Sequence, residues 1–194
     1  MLTGDRVAVM IDEGYFEKIK LICFENTRID YLKLSDALCE GKNRYMTYVY
    51  YALPFLGKNP SPAQQELYDG KRGYMDKLKH LPDFEVRLGH IAAGPGRKAP
   101  FQQEGVDQMF ISDLRKLSSE GLVDSVVIIA GDSHFAPAVA SAKEKGIHIT
   151  LYHKDCYDGP QLPKNNRSGL SSELERLCHS VKVIEKDLVN SVLL

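Results

Sequence analysis

Val7-Ala8-Val9-Met10-Ile11-Asp12, close to the start of the chain, is an unbroken apolar run that ends in a carboxylate. A second run of the same kind covers residues 126–132 and ends in Gly131 and Asp132. Strands of a parallel sheet that is covered on both faces have continuous apolar sequences of this length. The two runs therefore predict two strands of such a sheet, each followed by an aspartate.

Short runs rich in Val, Ile and Tyr alternate with amphipathic stretches along the chain, as in repeated strand–helix units. The pattern predicts strands at residues 6–11, 45–52, 85–91, 125–130 and 148–152, with a short sixth strand at 181–184. It predicts helices at residues 15–24, 31–38, 62–80, 106–118, 135–145 and 172–179. Because 194 residues suit one folded unit, we predict a single α/β domain, residues 1–194, with a mostly parallel central sheet.

The composition is that of an ordinary globular protein, with 43% hydrophobic and 26% charged residues. No apolar run reaches the roughly 18 residues that a transmembrane helix needs, and the N-terminus lacks the apolar segment of a secretory signal. We therefore expect a cytoplasmic protein with no membrane partner. The net charge of -1 provides no overall attraction to nucleic acid, so RNA binding would depend on local basic patches and on metal.

The four cysteines, Cys23, Cys39, Cys156 and Cys178, are widely separated and form no CxxC pair. This spacing argues against a zinc ribbon and against a redox motif. We expect most of them to be thiols in the core or at the surface.

Asp12 and Asp132 each follow the end of a predicted strand. The carboxyl ends of the strands form the ligand crevice of an open parallel sheet, so the two carboxylates converge if their strands are neighbours. Two carboxylates held together repel each other unless a cation such as Mg²⁺ or Mn²⁺ neutralises them. The pair predicts a metal site, although a single strand-end aspartate is commonly a cap for the helix that follows.

Two further carboxylates lie on the helix predicted at residues 106–118. Asp107 is near the N-terminus of this helix, a position that capping and the helix dipole also explain. Asp113 is six residues further on and falls on a different face, so its spacing alone predicts a solvent-exposed side chain.

A family resemblance extends in order over nearly the whole chain. It is carried by residues 11–16, 50–54, 84–89, 103–107 with Asp113, and 131–137. Together these segments resemble the NYN domain of the LabA/DUF88 type, which belongs to the PIN-like nuclease superfamily. The resemblance implies a PIN-like three-layer α/β/α sandwich. It also implies cleavage of RNA, with Mg²⁺ or Mn²⁺ as cofactor, at the acidic residues Asp12, Asp107, Asp113 and Asp132.

The chain departs from the family pattern at two positions. His134 stands where the family usually has the second aspartate of a glycine-aspartate-serine-aspartate turn, and Glu104 stands where it often has lysine. A neutral imidazole binds divalent ions and suits Mn²⁺ better than Mg²⁺, but it adds no negative charge. We therefore predict a metal site formed by Asp12, Asp107, Asp132 and His134, in which histidine either shifts the metal preference or weakens the site.

The predicted RNA contacts surround this metal site. Tyr15 follows the first strand and can stack on a base or pack in the core, and Ser133 can bond to a phosphate or cap a helix. Arg97 and Lys98 lie in a loop rich in glycine and proline and would contact the phosphates of single-stranded RNA. Since PIN-like domains often dimerise, a homodimer is a further expectation.

The favoured function is a metal-dependent endoribonuclease. The first alternative is a catalytically weakened or inactive RNA- or protein-binding module, which His134 and the near-neutral charge favour. A phosphatase is a second alternative, since strand-end aspartates recur in unrelated chemistries. However, Asp12 is followed by Glu13 and Gly14 and so begins no Asp-x-Asp motif, and the absence of a GxxxxGK[ST] loop argues against an NTPase.

Overall fold

The computed structural model describes residues 5–92, 102–156 and 171–194. The strands in these ranges are β1 (Arg6–Asp12), β2 (Asn43–Leu53), β3 (Phe84–Ala92), β4 (Gln102–Glu104), β5 (Ser125–Ile129), β6 (His148–His153) and β7 (Ser180–Val183). The helices are α1 (Glu13–Cys23), α2 (Tyr31–Leu38), α3 (Pro62–Lys79), α4 (Val106–Ser119), α5 (Ala136–Glu144), α6 (Ser172–Leu177) and α7 (Lys186–Ser191).

The strands form one sheet in the order β4-β3-β2-β1-β5-β6-β7. Every neighbouring pair is parallel except β3 and β4, which are antiparallel. The α/β class and the mostly parallel sheet are therefore confirmed. The pattern of the sequence did not predict β4 or α7. With three and six residues respectively, they are too short to show a periodicity.

Helices cover both faces of the sheet. Apolar side chains of α1, α2, α3 and α7 pack in the core on one face, around Phe16 and Leu34. Those of α4, α5 and α6 pack on the other face, around Phe110 and Leu114. Such two-sided burial explains why β1 and β5 are apolar at every position of their central runs. The predicted three-layer α/β/α sandwich is confirmed.

β1 lies near the middle of the sheet, with β2 on one side and β5 on the other. From β1 the chain builds outward through β2 and β3 to one edge, and it then returns to β5 and builds outward to the other edge. The strand order thus reverses between β1 and β5, and ligands of open α/β sheets bind outside the carboxyl ends of the strands at such a point. Asp12 is the last residue of β1, and Asp132 lies in the turn after β5.

Two of the four cysteines do not remain thiols. Cys23, at the end of α1, forms a disulfide with Cys156, which follows β6, with their Cα atoms 5.9 Å apart. Cys39 and Cys178 are free. The expectation that most of the four are thiols is therefore wrong for this pair, because the fold joins positions that are 133 residues apart.

Within the described ranges, no helix is both long and apolar enough to cross a lipid bilayer.

Candidate active site

Asp12 closes β1 and is the innermost acidic group at the strand ends. Its carboxylate accepts the backbone N–H of Tyr15 at 3.1 Å and so also caps α1. Burial raises the pKa of Asp12 to about 6; the hydrogen bond from Tyr15 lowers it, and the nearby carboxylates of Asp107, Glu13 and Asp132 raise it. The charged form of Asp12 is therefore held at a cost in free energy that a bound cation would relieve.

The turn after β5 carries Asp132 and His134. Asp132 accepts the backbone N–H of His134 at 2.9 Å and so caps this turn. The Nδ1 atom of His134 lies 3.3 Å from Oδ1 of Asp132 and 3.4 Å from Oδ2 of Asp107. The imidazole is 69% exposed, so it stands between two carboxylates at the open side of the site.

Asp107 reaches the same place from α4. It lies in the first turn of that helix, where the N-cap is Gly105 and no side chain makes the capping hydrogen bond. The carboxylate of Asp107 is therefore not used as a cap, unlike those of Asp12 and Asp132. Its position favours negative charge because the N-terminus of a helix carries a partial positive charge.

Three carboxylates and one imidazole thus come together from β1, the turn after β5 and α4. Hard carboxylate oxygens suit Mg²⁺ or Mn²⁺, and the imidazole nitrogen favours Mn²⁺. As placed, no three His, Cys, Asp or Glu side chains of the described residues stand close enough together to hold a metal ion. The donor types fit a divalent cation, whose binding would require the side chains to draw closer. We call Asp12, Asp107, Asp132 and His134 the acidic cluster.

Asp113 is not part of the acidic cluster. Its carboxylate takes two hydrogen bonds from Arg87, at 2.9 and 3.1 Å, and a third from the hydroxyl of Tyr50 at 3.0 Å. Its side chain is only 12% exposed, so the solvent-exposed position predicted from its spacing is wrong. Both carboxylate oxygens of Asp113 are engaged in an ion pair with Arg87 between α4 and β3.

Tyr15 is buried and does not present its ring to a base. It is 9% exposed, and its ring lies so close to Gly131 that a Cβ atom there would stand 2.4 Å from the Cε2 atom of Tyr15. Its hydroxyl accepts the backbone N–H of Lys154 at 3.3 Å. Core packing therefore replaces the predicted stacking on RNA. The ring connects α1 with the turn that carries Asp132.

The other predicted RNA contacts have different outcomes. Ser133 is exposed beside Asp132, and the cap of the turn is Asp132 rather than Ser133. The hydroxyl of Ser133 is therefore not used as the cap. Arg97 and Lys98 lie outside the described residues.

A buried polar network behind Asp12 was not found from the sequence. Glu13 has no exposed surface, and its Oε1 lies 2.9 Å from Nζ of Lys20 and accepts the hydroxyl of Tyr31 at 2.6 Å. Burial raises the pKa of Glu13, while Lys20 and Tyr31 oppose that shift. The network fixes the first turn of α1 and with it the backbone of Asp12. The seven-residue spacing of Glu13 and Lys20, which puts both on one helix face, was the available signal.

Comparisons with known proteins identify the family and the fold. The chain matches the NYN domain over residues 6–178. The uncharacterized protein y4oD of Sinorhizobium fredii is 29% identical over 101 residues, which are 52% of this chain and 44% of that protein. The match thus spans less than half of that relative. The crystal structure of VPA0982, a protein of unknown function from Vibrio parahaemolyticus, superposes with a TM-score of 0.60 at 17% identity, covering 100% of this chain and 99% of that one. That likeness shows the fold.

Proposed function

The chain belongs to the NYN domain family, whose fold is of the nuclease type, and we propose that it is a metal-dependent endoribonuclease that cleaves single-stranded RNA. The observation that carries the proposal is the convergence of Asp12, Asp107 and Asp132 at the reversal of the strand order. The raised pKa of Asp12 supports it, because strongly perturbed pKa values are characteristic of functional sites.

The residues of the acidic cluster lie at different depths in the site and have different roles. Asp12 is half-buried at the floor of the site, and its hydrogen bond from Tyr15 fixes the direction of its carboxylate. Asp107, Asp132 and His134 stand at the open side, where a phosphate chain can approach. These four side chains would hold Mg²⁺ or Mn²⁺. When bound, the cation supplies activation of water and stabilisation of charge on the scissile phosphate.

Contacts to the RNA form the outer part of the proposal. Ser133 is exposed next to Asp132, and its hydroxyl would donate to a phosphate oxygen. Arg97 and Lys98 would neutralise neighbouring phosphates. Positive charge must come from such side chains or from metal, because the four residues of the acidic cluster contribute three carboxylates and one imidazole.

The direct test is cleavage of labelled single-stranded RNA and DNA of the same sequence in EDTA, Mg²⁺ or Mn²⁺. We expect cleavage of RNA with Mn²⁺ and none in EDTA. Asp12→Asn and Asp132→Asn should each abolish it, while keeping the caps that these residues provide, since asparagine is also a good N-cap. Asp30→Asn is the matched control, because Asp30 caps α2 through its side chain away from the acidic cluster.

Three results of this assay would have different meanings. Cleavage that survives both Asp12→Asn and Asp132→Asn would show that the acidic cluster is not the active site. Loss of cleavage in Asp30→Asn as well would show only that altered capping is harmful. Equal cleavage of RNA and DNA would refute the RNA preference but not the nuclease.

A second function is favoured by one observation. His134 stands between Asp107 and Asp132 at 3.4 and 3.3 Å, so that its imidazole occupies the space between the two carboxylates. The alternative is an NYN module that binds RNA or protein without cutting. His134→Asp distinguishes the two: new Mg²⁺-dependent cleavage in the variant, with RNA binding but no cleavage in the original chain, would establish the binding module.

A further inference from the structure

His153 is the last residue of β6 and lies in line with Asp12 across the sheet. The β1–β5 and β5–β6 pairings both extend to Ile129. Continued by one residue, the same register brings Asp12 at the end of β1, Ala130 directly after β5 and His153 at the end of β6 next to one another, and the alternation of side chains puts them on one face. Ala130 packs in the core under α4 and α5, which identifies that face as the one from which Asp107 approaches.

The imidazole of His153 is unusual among the described side chains. It is 9% exposed, and its Nδ1 atom is sealed from solvent without a hydrogen-bond partner. Oδ1 of Asp155 is 3.8 Å from this atom, which is within ion-pair range but too long for a hydrogen bond. Buried polar atoms without a partner are rare, and a catalytic role is one of their explanations. The exposed part of the side chain belongs to atoms other than Nδ1.

We propose that His153 is the general acid of the cleavage reaction, with Asp155 as the residue that positions it; this rests on the nuclease function proposed above. The imidazolium carries protons on both nitrogens, and its Nδ1–H faces the carboxylate of Asp155. In this proposal Nε2–H is the proton donor and faces the edge of the sheet where Asp12 lies. Two strand spacings of ~4.8 Å put the Cα atoms of Asp12 and His153 about 10 Å apart, a span that an aspartate, a phosphodiester and an imidazole can bridge.

The proposed step balances as a hydrolysis. The oxygen of water forms a bond to phosphorus, and the bond from phosphorus to the leaving ribose oxygen breaks. That oxygen takes the proton from Nε2 of His153, while the attacking water loses a proton to solvent. His153 then regains a proton from solvent. Asp155 stabilises the charged imidazole before the transfer, in the way that a carboxylate orients and supports a catalytic histidine.

The test uses a substrate whose leaving group needs no general acid. The position at which the protein cuts an RNA is mapped, and the RNA is then made with sulfur in place of the leaving ribose oxygen at that bond. A thiolate leaves without protonation. With Mn²⁺, His153→Gln should cut the ordinary RNA on the order of 100-fold more slowly than the unaltered protein, the range of general acid catalysis. On the sulfur-containing RNA the two proteins should agree within about threefold.

Two further variants control the result. His148→Gln changes an exposed histidine at the other end of β6 and should leave both rates unchanged. Asp155→Asn keeps the imidazole and should slow cleavage of the ordinary RNA alone. It also provides the test if His153→Gln does not fold. Equal losses on both substrates would assign His153 a structural role and overturn the proposal, as would the absence of any loss. If the unaltered protein cuts neither substrate with any metal, the nuclease function itself is refuted.

Discussion

Asp12→Asn should make the metal-free protein more stable at neutral pH, although it removes a residue of the acidic cluster. Burial holds the pKa of Asp12 at about 6 against an ordinary value of 3.8. Because the folded-state pKa is raised, the stability that the protonated group provides is complete below about pH 4 and is lost as the pH rises through about 6. Each pKa unit corresponds to about 1.4 kcal/mol, so the loss approaches about 3 kcal/mol.

The assay is urea unfolding in EDTA over the range from about pH 4 to about pH 7.5, which brackets this transition. The unaltered protein should lose up to about 3 kcal/mol of unfolding free energy relative to Asp12→Asn across that range. Asparagine keeps the cap on α1, so the comparison isolates the charge. Asp30→Asn, the same exchange at the cap of α2, should follow the unaltered protein.

Added Mn²⁺ should make the unaltered protein more stable than Asp12→Asn. It stabilises a protein that binds it only when folded, and it should therefore raise the stability of the unaltered protein and leave that of Asp12→Asn nearly unchanged. Parallel stability profiles for the two proteins in EDTA, or a less stable Asp12→Asn at neutral pH, would refute the reasoning that the acidic cluster is held at an electrostatic cost.

Three other predictions concern the supports of the site. Asp113→Ala should cost about 2 kcal/mol of unfolding free energy, which is less than the loss of a fully buried ion pair because Arg87 is half-exposed. A variant that stays folded but loses activity would contradict this structural role. Gly131→Ala should cost about 1–3 kcal/mol because the new methyl group meets Tyr15, and a cost that persists in a Tyr15→Leu background would exclude that clash. The Cys23–Cys156 disulfide should add about 2–4 kcal/mol under oxidising conditions. Alkylation and mass spectrometry should then detect two thiols before reduction and four after it.

The sequence was sufficient for the central strands and for the positions of Asp12 and Asp132, because these depend on local patterns, whereas Asp107 and His134 were selected by the family resemblance. The runs that form β1 and β5 are apolar at successive positions, which only strands buried on both faces require. The aspartates directly after them then had to lie at the carboxyl edge of the sheet. The two carboxylates converge only if their strands are neighbours, and β1 and β5 are indeed paired.

Residues whose partners are distant in the sequence were misjudged. The helical spacing of Asp113 gave no sign of Arg87, which lies 26 positions earlier on β3. Nor did the position of Tyr15 at the start of a helix reveal that its ring would pack on Gly131. The disulfide joins residues separated by 133 positions, and no spacing rule could select that pair from four cysteines.

The order of the strands also has a consequence during synthesis. Asp12 leaves the ribosome early, but Asp107 and Asp132 follow only after β2, β3 and β4 have been made. β1 cannot acquire its second neighbour until β5 emerges, so a nascent chain that ends before residue 125 lacks Asp132 and has only a half-formed crevice. Whatever chemistry the acidic cluster performs, it is withheld from the growing chain until Asp132 has been made. A translating ribosome, itself largely RNA, is therefore not exposed to the assembled site before that point.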